Sequence, residues 1–280
     1  MKRIFLSMLS AFVIFSCIGC LRTSVRVAEE IIDHVDEHDS LVANDSCFRG
    51  HLDIPNDIHT IEVEDAIVVY MWDDYDSASY YSNDKTGKLR YEVRNGVLHL
   101  WTDRANDKAG KRTTTERLYV QLPEMPNLDK IKLEDVSLLS CTQRLHGNVN
   151  ITIEDVSCFR GSVDCDNLSL KINDVSQFTG TINAKQASIC VEDVSMLDAD
   201  GNIDRLTLTV ADVSKVASAA GGNGLTAKNL TAVVRDNSNV EISCTDTLSV
   251  TCTGMSSFTY RGNPVVTKKE KRSFAKIRKE

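Results

Sequence analysis

Leu168-Ser169-Leu170-Lys171-Ile172-Asn173-Asp174-Val175-Ser176-Gln177-Phe178 contains the grammar of the whole fold. Leu168, Leu170 and Ile172 alternate with Ser169 and Lys171, which puts the apolar side chains on one face of a strand and the polar ones on the other. Asn173-Asp174-Val175-Ser176 breaks the alternation, and Phe178 resumes an apolar position two residues past the serine. Asp and Ser hydrogen-bond nearby backbone amides through short side chains, so the phrase predicts a tight corner in which the aspartate takes up amides.

The phrase recurs on both sides of this stretch. Glu134-Asp135-Val136-Ser137, Glu154-Asp155-Val156-Ser157, Glu192-Asp193-Val194-Ser195 and Ala211-Asp212-Val213-Ser214 are close copies, and Arg235-Asp236-Asn237-Ser238 and Thr253-Gly254-Met255-Ser256 are weaker ones. Their serines are spaced by 20, 19, 19, 19, 24 and 18 residues. An apolar residue follows two places after each serine: Leu139, Phe159, Phe178, Leu197, Val216, Val240 and Phe258. A coil this short holds no helix-length apolar stripe and is too short for a propeller blade. The pattern therefore predicts an all-β chain, a single-stranded right-handed parallel β-helix (solenoid) of 19-residue coils with additional N-terminal β-strands. Neighbouring coils should lie ~4.8 Å apart, with both end coils covered, because an unpaired strand edge invites association.

Upstream, residues 58–127 hold further strand patterns without a clear copy of the phrase, and Asn95-Gly96 between two of them signals a tight hairpin turn. Met1–Cys20 opens with Lys2-Arg3, runs apolar from Ile4 to Ile18 and ends in Gly19-Cys20, the plan of an export signal. The cysteine after Gly19 resembles the lipidated residue of a bacterial lipoprotein signal, with Cys17 standing where leucine is usual. The chain is accordingly divided into a signal peptide (1–19), a lipid-anchored tether (20–57), an N-terminal β region (58–127), the β-helix repeats (128–262) and a basic C-terminal tail (263–280). Cys20 is the lipidation site, and the tail is expected to cover the far end of the stack. Within the tether, His34 and His38 have the spacing of a helical metal pair, but without a third ligand they read as solvated side chains.

At this point the chain resembles a family, the putative adhesins with a head GIN domain of gut Bacteroidetes. Carrying the resemblance are the lipoprotein signal, Tyr91-Glu92-Val93-Arg94-Asn95-Gly96-Val97-Leu98, and Leu118-Tyr119-Val120-Gln121-Leu122-Pro123 leading through Leu128 into the repeats. It covers residues 58–262, with Asp-Val-Ser at the corners where family members usually carry Gly-Ser-Gly. The resemblance implies a β-helix shaped like the pectin lyases, no recognised catalytic residues, and a role in adhesion.

The chemistry of the residues agrees with a non-enzymatic reading. Asp135, Asp155, Asp174, Asp193, Asp212 and Asp236 fall in one column, where neighbouring carboxylates repel by about 0.9 kcal/mol even in water. Backbone amides at the corners, or a bound cation, would offset that. A regular ladder contains no distinguished acid–base pair, and His146 is the single histidine of the repeat region, leaving no Ser-His-Asp set. No cofactor is implied. A net charge of −8 disfavours nucleic acid as a partner. Two irregularities are the candidate ligand sites: the excess residues of the longest coil, with Gly221, Gly222, Asn223 and Gly224, and the tail Lys268–Glu280 with its seven basic and two acidic residues. The expected partners are the membrane, through the N-terminal lipid, and an unidentified glycan or protein. The expected location is the cell envelope, on an outer-membrane lipoprotein of either face, in an undetermined oligomeric state. The rival reading is a periplasmic structural or stress-sensing protein acting through a protein partner, and a polysaccharide-active enzyme ranks last.

Overall fold

A computed structural model describes residues 48–82, 89–102, 118–218 and 222–280. Cys20, His34, His38, Gly221 and the tether up to residue 47 lie outside the described residues. The described chain is nineteen β-strands in one hydrogen-bonded sheet, wound into a solenoid.

The repeats wind as the spacing requires. β8 (Lys130–Leu133), β10 (Asn148–Ile153), β11 (Cys158–Ile172), β12 (Gln177–Val191), β13 (Met196–Val210), β15 (Leu225–Val234) and β16 (Asn239–Cys252) stack in parallel. Leu168 lies over Ala187, Ala187 over Leu206, Leu206 over Leu230 and Leu230 over Leu248, one residue per coil. The inward column after the corner, from Leu139 through Phe159, Phe178, Leu197, Val216 and Val240 to Phe258, is wholly buried. Phe159 and Phe178 stack within it at 5.1 Å. Midway along each long strand an adjacent pair faces solvent, Asp166-Asn167, Lys185-Gln186 and Asp204-Arg205, marking a second corner where the in–out phase flips. At the bend before it, a Cβ on Gly180 (φ 155°) would overlap the Gly161 carbonyl of the coil below, so the backbones there approach as only glycine allows.

The phrase corners stack by two ladders. The amide of each corner valine donates to the aspartate carbonyl of the next coil: Val136 to Asp155, Val156 to Asp174, Val175 to Asp193 and Val194 to Asp212, at 2.9–3.0 Å. The amide of each corner serine donates to the next serine hydroxyl: Ser137 to Ser157, Ser157 to Ser176, Ser176 to Ser195 and Ser195 to Ser214, at 3.1–3.2 Å. These serines are buried, so the hydroxyl column satisfies amides that would otherwise be orphaned inside the wall. The ladder stops at the long coil, where the Ser214 amide turns to the Ala211 carbonyl (3.2 Å) and the buried Ser238 hydroxyl has no hydrogen-bond partner.

Three segments depart from the sequence reading. The phrase does occur upstream: Glu64-Asp65-Ala66 turns the chain, with Asp65 at φ 66°, between β2 (Thr60–Val63) and β3 (Ile67–Met71). These strands pair in parallel with β8 and with β9 (Leu138–Leu145) on one side, and with β6 (Val97–Thr102) and β7 (Leu118–Leu122) on the other. So residues 58–127 contribute two coils to the solenoid, and Ile67 at the serine position hid the first of them. The order in space is inverted, with the later β6–β7 coil outermost. Its free edge is covered by antiparallel strands, β5 (Leu89–Arg94) on β6 across the Asn95-Gly96 turn, and β4 (Ser79–Ser82) on β7. β1 (Phe48–His51), placed in the tether by the sequence reading, pairs with β4.

Residues 263–280 are the last coil rather than an appended tail. β18 (Val265–Lys271) pairs with β16, and β19 (Lys276–Lys279) with β17 (Ser257–Arg261). Between them Arg272-Ser273-Phe274-Ala275 makes one more corner, with Ser273 at φ 59° and the Phe274 amide donating to the Gly254 carbonyl at 2.9 Å. Basic side chains concealed the strand pattern because at the end of a stack the inward positions no longer have to be apolar.

Candidate functional site

The phrase corner is a tight turn whose two central residues are both left-handed. The aspartates Asp135, Asp155, Asp174, Asp193 and Asp212 have φ of 54–56° and the valines after them 69–75°. Asp tolerates that region, but a β-branched residue there is an outlier. The outward result is a double ridge: a column of exposed aspartates beside a column in which Val136, Val156, Val175, Val194 and Val213 project at least partly into solvent. Asp236 continues the acidic column at φ 61°, and Met255 and Phe274 continue the apolar one.

The expectation that the aspartate side chains take up corner amides is corrected here. The valine amide goes to the aspartate main-chain carbonyl of the next coil, which leaves the carboxylates pointing outward. Their mutual repulsion is eased by exposure and by cations on the flanking column. Lys132 pairs with Glu134 (2.7 Å), Lys171 with Glu154 (2.8 Å), and Arg235 reaches across to Glu192 (3.2 Å). The hydrogen bond to Glu134 raises the Lys132 pKa, and that to Glu154 raises Lys171. In mid-column, partial burial and then the charges of Asp174 and Asp135 hold the Asp155 carboxyl above its usual range. Among the described residues, no three His, Cys, Asp or Glu side chains converge as a metal-holding cluster.

A different surface lies at the second corner. Its column alternates in sign, Asp166, Lys185, Asp204, Lys228, with ion pairs of 2.6 Å from Lys185 to Asp166 and 2.7 Å from Lys228 to Asp204. Beside it opens a groove of about 410 Å³ lined by His146, Asp164, Asp166, Asn183, Lys185 and Asn202. The Asn202 amide donates to the Asn183 side-chain oxygen at 3.1 Å, and His146 Nδ1 lies 3.0 Å from the Asp164 carbonyl. Planar amides and carboxylates thus line the groove at coil spacing. The sequence signal was available, since Asp164, Asn183 and Asn202 recur every 19 residues as the corners do.

The other candidates are held close to the body. Gly222 and Asn223 are exposed, but the Gly224 amide donates to Asp200 Oδ1 at 2.6 Å, which ties this end of the long-coil excess down. Near the N-terminal cap, the ring of Trp72 stacks on Tyr75 at 5.7 Å with Asp73, Asp74 and Asp76 exposed around them. Gln121 clamps the Tyr75 hydroxyl at 3.1 Å.

The six described cysteines are free thiols. Cys158 alternates with the inward Phe159 and so faces outward, but Val68 and Leu138 cover it. Cys190 lies level with Lys171 on the strand before the phrase, while Cys158 lies on the strand after it, so the two do not meet. No helix of the described residues is long and apolar enough to cross a membrane.

A parallel solenoid closed at one end by antiparallel strands, with ladders of polar side chains on its outer face, defines a repeat-built β-solenoid fold. The family model described as "putative auto-transporter adhesin, head GIN domain" matches residues 59–264, and the chain belongs to that family. Among solved structures, a putative adhesin from Parabacteroides distasonis is 16% identical with a TM-score of 0.69, covering 84% of this chain and 97% of that one. A putative adhesin from Parabacteroides merdae is 14% identical (TM-score 0.67; 85% and 97%). A protein from Parabacteroides distasonis described as a putative lipid binding protein is 16% identical (TM-score 0.64; 85% and 98%). At these identities the likeness shows the fold alone. No curated protein matches the chain.

Proposed function

We propose that this chain is a non-enzymatic adhesin of the cell envelope, anchored by a lipid on Cys20, that binds a glycan or protein along the outside of its solenoid. The observation that carries this reading is the groove at the second corner, where Asp164, Asn183 and Asn202 present carboxylate and amide groups at coil spacing. Such planar donors and acceptors suit hydroxyl-rich or backbone-like ligands. The repeated serines are buried in the amide ladder and so are not presented as nucleophiles. Membership of an adhesin family supports the same conclusion.

Protease shaving of intact cells, with lysed cells as control, tests the location. Loss of the solenoid from intact cells is expected, and protection until lysis would refute a surface role. On a glycan array, the Asn183→Ala/Asn202→Ala variant should lose whatever the wild-type chain retains, and turnover of a uronate or chitin-type polymer would overturn the non-enzymatic reading. A periplasmic structural or stress-sensing role is the second reading. It is favoured by Leu21-Arg22-Thr23-Ser24, which has no acidic run after Cys20.

A further inference from the structure

We propose that the terminal coil, residues 265–280, is a docking face for an anionic phospholipid bilayer, separate from the ligand groove. Among the described residues, β18 and β19 pair only toward the body, so the outer edge of this coil is unpartnered, whereas the opposite end of the stack is closed by β5 and β4. The register places Lys269 over Val250 and Lys271 over Cys252, so positions that are buried core in every preceding coil carry ammonium groups here. Lys279 likewise sits over Tyr260, and Lys269 lies over the Tyr260 ring at 5.9 Å. Of the remaining cations, Lys268 and Arg272 share Glu270, while Lys271, Lys276 and Arg278 make no ion pair among the described residues.

Lysines on an open edge also keep strands of other molecules from adding to it. That explains the inward lysines but not their apolar companions. Phe274 is 82% exposed at the tip of a corner held by its own amide, and Val265 on the same coil is 68% exposed. An aromatic ring and aliphatic side chains among basic residues are the composition of a surface that meets the boundary between head groups and acyl chains. The distribution separates a bilayer from a peptide. An added strand would run along one side of the coil, but the cations lie on both β18 and β19 and at the corner between them, so only a broad anionic surface engages all of them at once. The charge is complementary, because residues 268–280 carry a net +5 in a chain of net −8.

The test uses residues 21–280, which keep the whole core from Leu52 to Ala275 and leave out the apolar leader. The chain should co-sediment with vesicles of phosphatidylcholine plus phosphatidylglycerol and not with phosphatidylcholine alone. Raising the ionic strength from about 0.1 M to about 1 M, which shortens the Debye length from about 10 Å to about 3 Å, should release it. Lys271→Gln/Lys276→Gln/Arg278→Gln should weaken partitioning about 100-fold, from the usual contribution of each basic residue at an anionic surface. Phe274→Ser should weaken it about tenfold by removing buried apolar area. Both variants change exposed positions, and an unchanged melting temperature verifies their folding. The proposal is overturned by absence of binding to phosphatidylglycerol vesicles, by wild-type partitioning of the triple variant, by binding only to vesicles containing lipid A, or by capture of an extended acidic peptide with vesicles left unbound.

Discussion

Replacing Ser176 by alanine removes one hydroxyl from the wall of the solenoid and leaves the Ser157 amide, now 3.1 Å from that oxygen, buried with no acceptor. A buried amide stripped of its partner costs about 1–3 kcal/mol. In a domain of this size each kcal/mol moves the melting temperature by about 2–4 °C, so Ser176→Ala should lower it by roughly 2–12 °C. Ser238 is the internal control. It occupies the same column and is as buried, but its hydroxyl has no partner and the Ser214 amide has already turned to Ala211. Burying an unpaired hydroxyl is itself unfavourable by about 1–3 kcal/mol, so Ser238→Ala should leave stability unchanged or raise it. Calorimetry of the two variants, with hydrogen exchange at the Ser157 amide, decides the matter. Equal losses from both substitutions would refute the ladder as the source of the effect and leave side-chain packing as its cause.

Three further outcomes follow from the corners and the core. Val175 sits at φ 70°, strain of order 1–3 kcal/mol, and Asn adopts that region readily, so Val175→Asn should stabilise by about 1 kcal/mol in urea titration. A loss would mean that the isopropyl group contributes more by packing than its backbone costs. The pKa of Asp155 is raised in the folded state, so the stability it contributes is complete below the ordinary carboxylate range and is lost as pH rises through the raised value. Asp155→Asn should therefore raise the unfolding midpoint at neutral pH and change nothing below about pH 3, and a destabilised variant at neutral pH would contradict this. Burial pushes the thiol of Cys141 up to about 12 and those of Cys158, Cys165 and Cys252 to about 11. Mass mapping after iodoacetamide near pH 8 should find these four unmodified until the chain is unfolded, with partly exposed Cys190 labelled first among the described cysteines.

The coil, its length and its inward columns were legible because burial imposes a strict alternation, and Leu168, Leu170, Ile172 and Phe178 obey it. What escaped were positions where something else sets the residue. Ala66 and Ile67 take the places of the valine and the serine, so the earliest corner did not read as one. Lys269 and Lys271 occupy core positions at an end with no core beyond it. The corner valines gave no warning of left-handed backbone, since local preference argues against Val there, and the stacked amide–carbonyl ladder overrides it. Of the candidate site, the acidic column was visible and its hydrogen bonding was not, because whether an amide meets a side-chain or a main-chain oxygen depends on backbone angles. The polar groove was readable in principle, as the 19-residue recurrence of Asp164, Asn183 and Asn202, but that recurrence spans three coils and a single residue in each, whereas the corner phrase repeats over seven.

The inverted order of the first two coils dictates a schedule of assembly. β2 and β3 are made early, yet each lies between neighbours that come later, β6 and β7 on one side and β8 and β9 on the other. A chain emerging N-terminus first therefore carries a coil with one edge waiting until Leu122 and the other until Cys141 has arrived, and from there on every coil finds a finished template beneath it. Growth is thus slow to start and rapid to continue, with the vulnerable interval confined to the first half of the molecule.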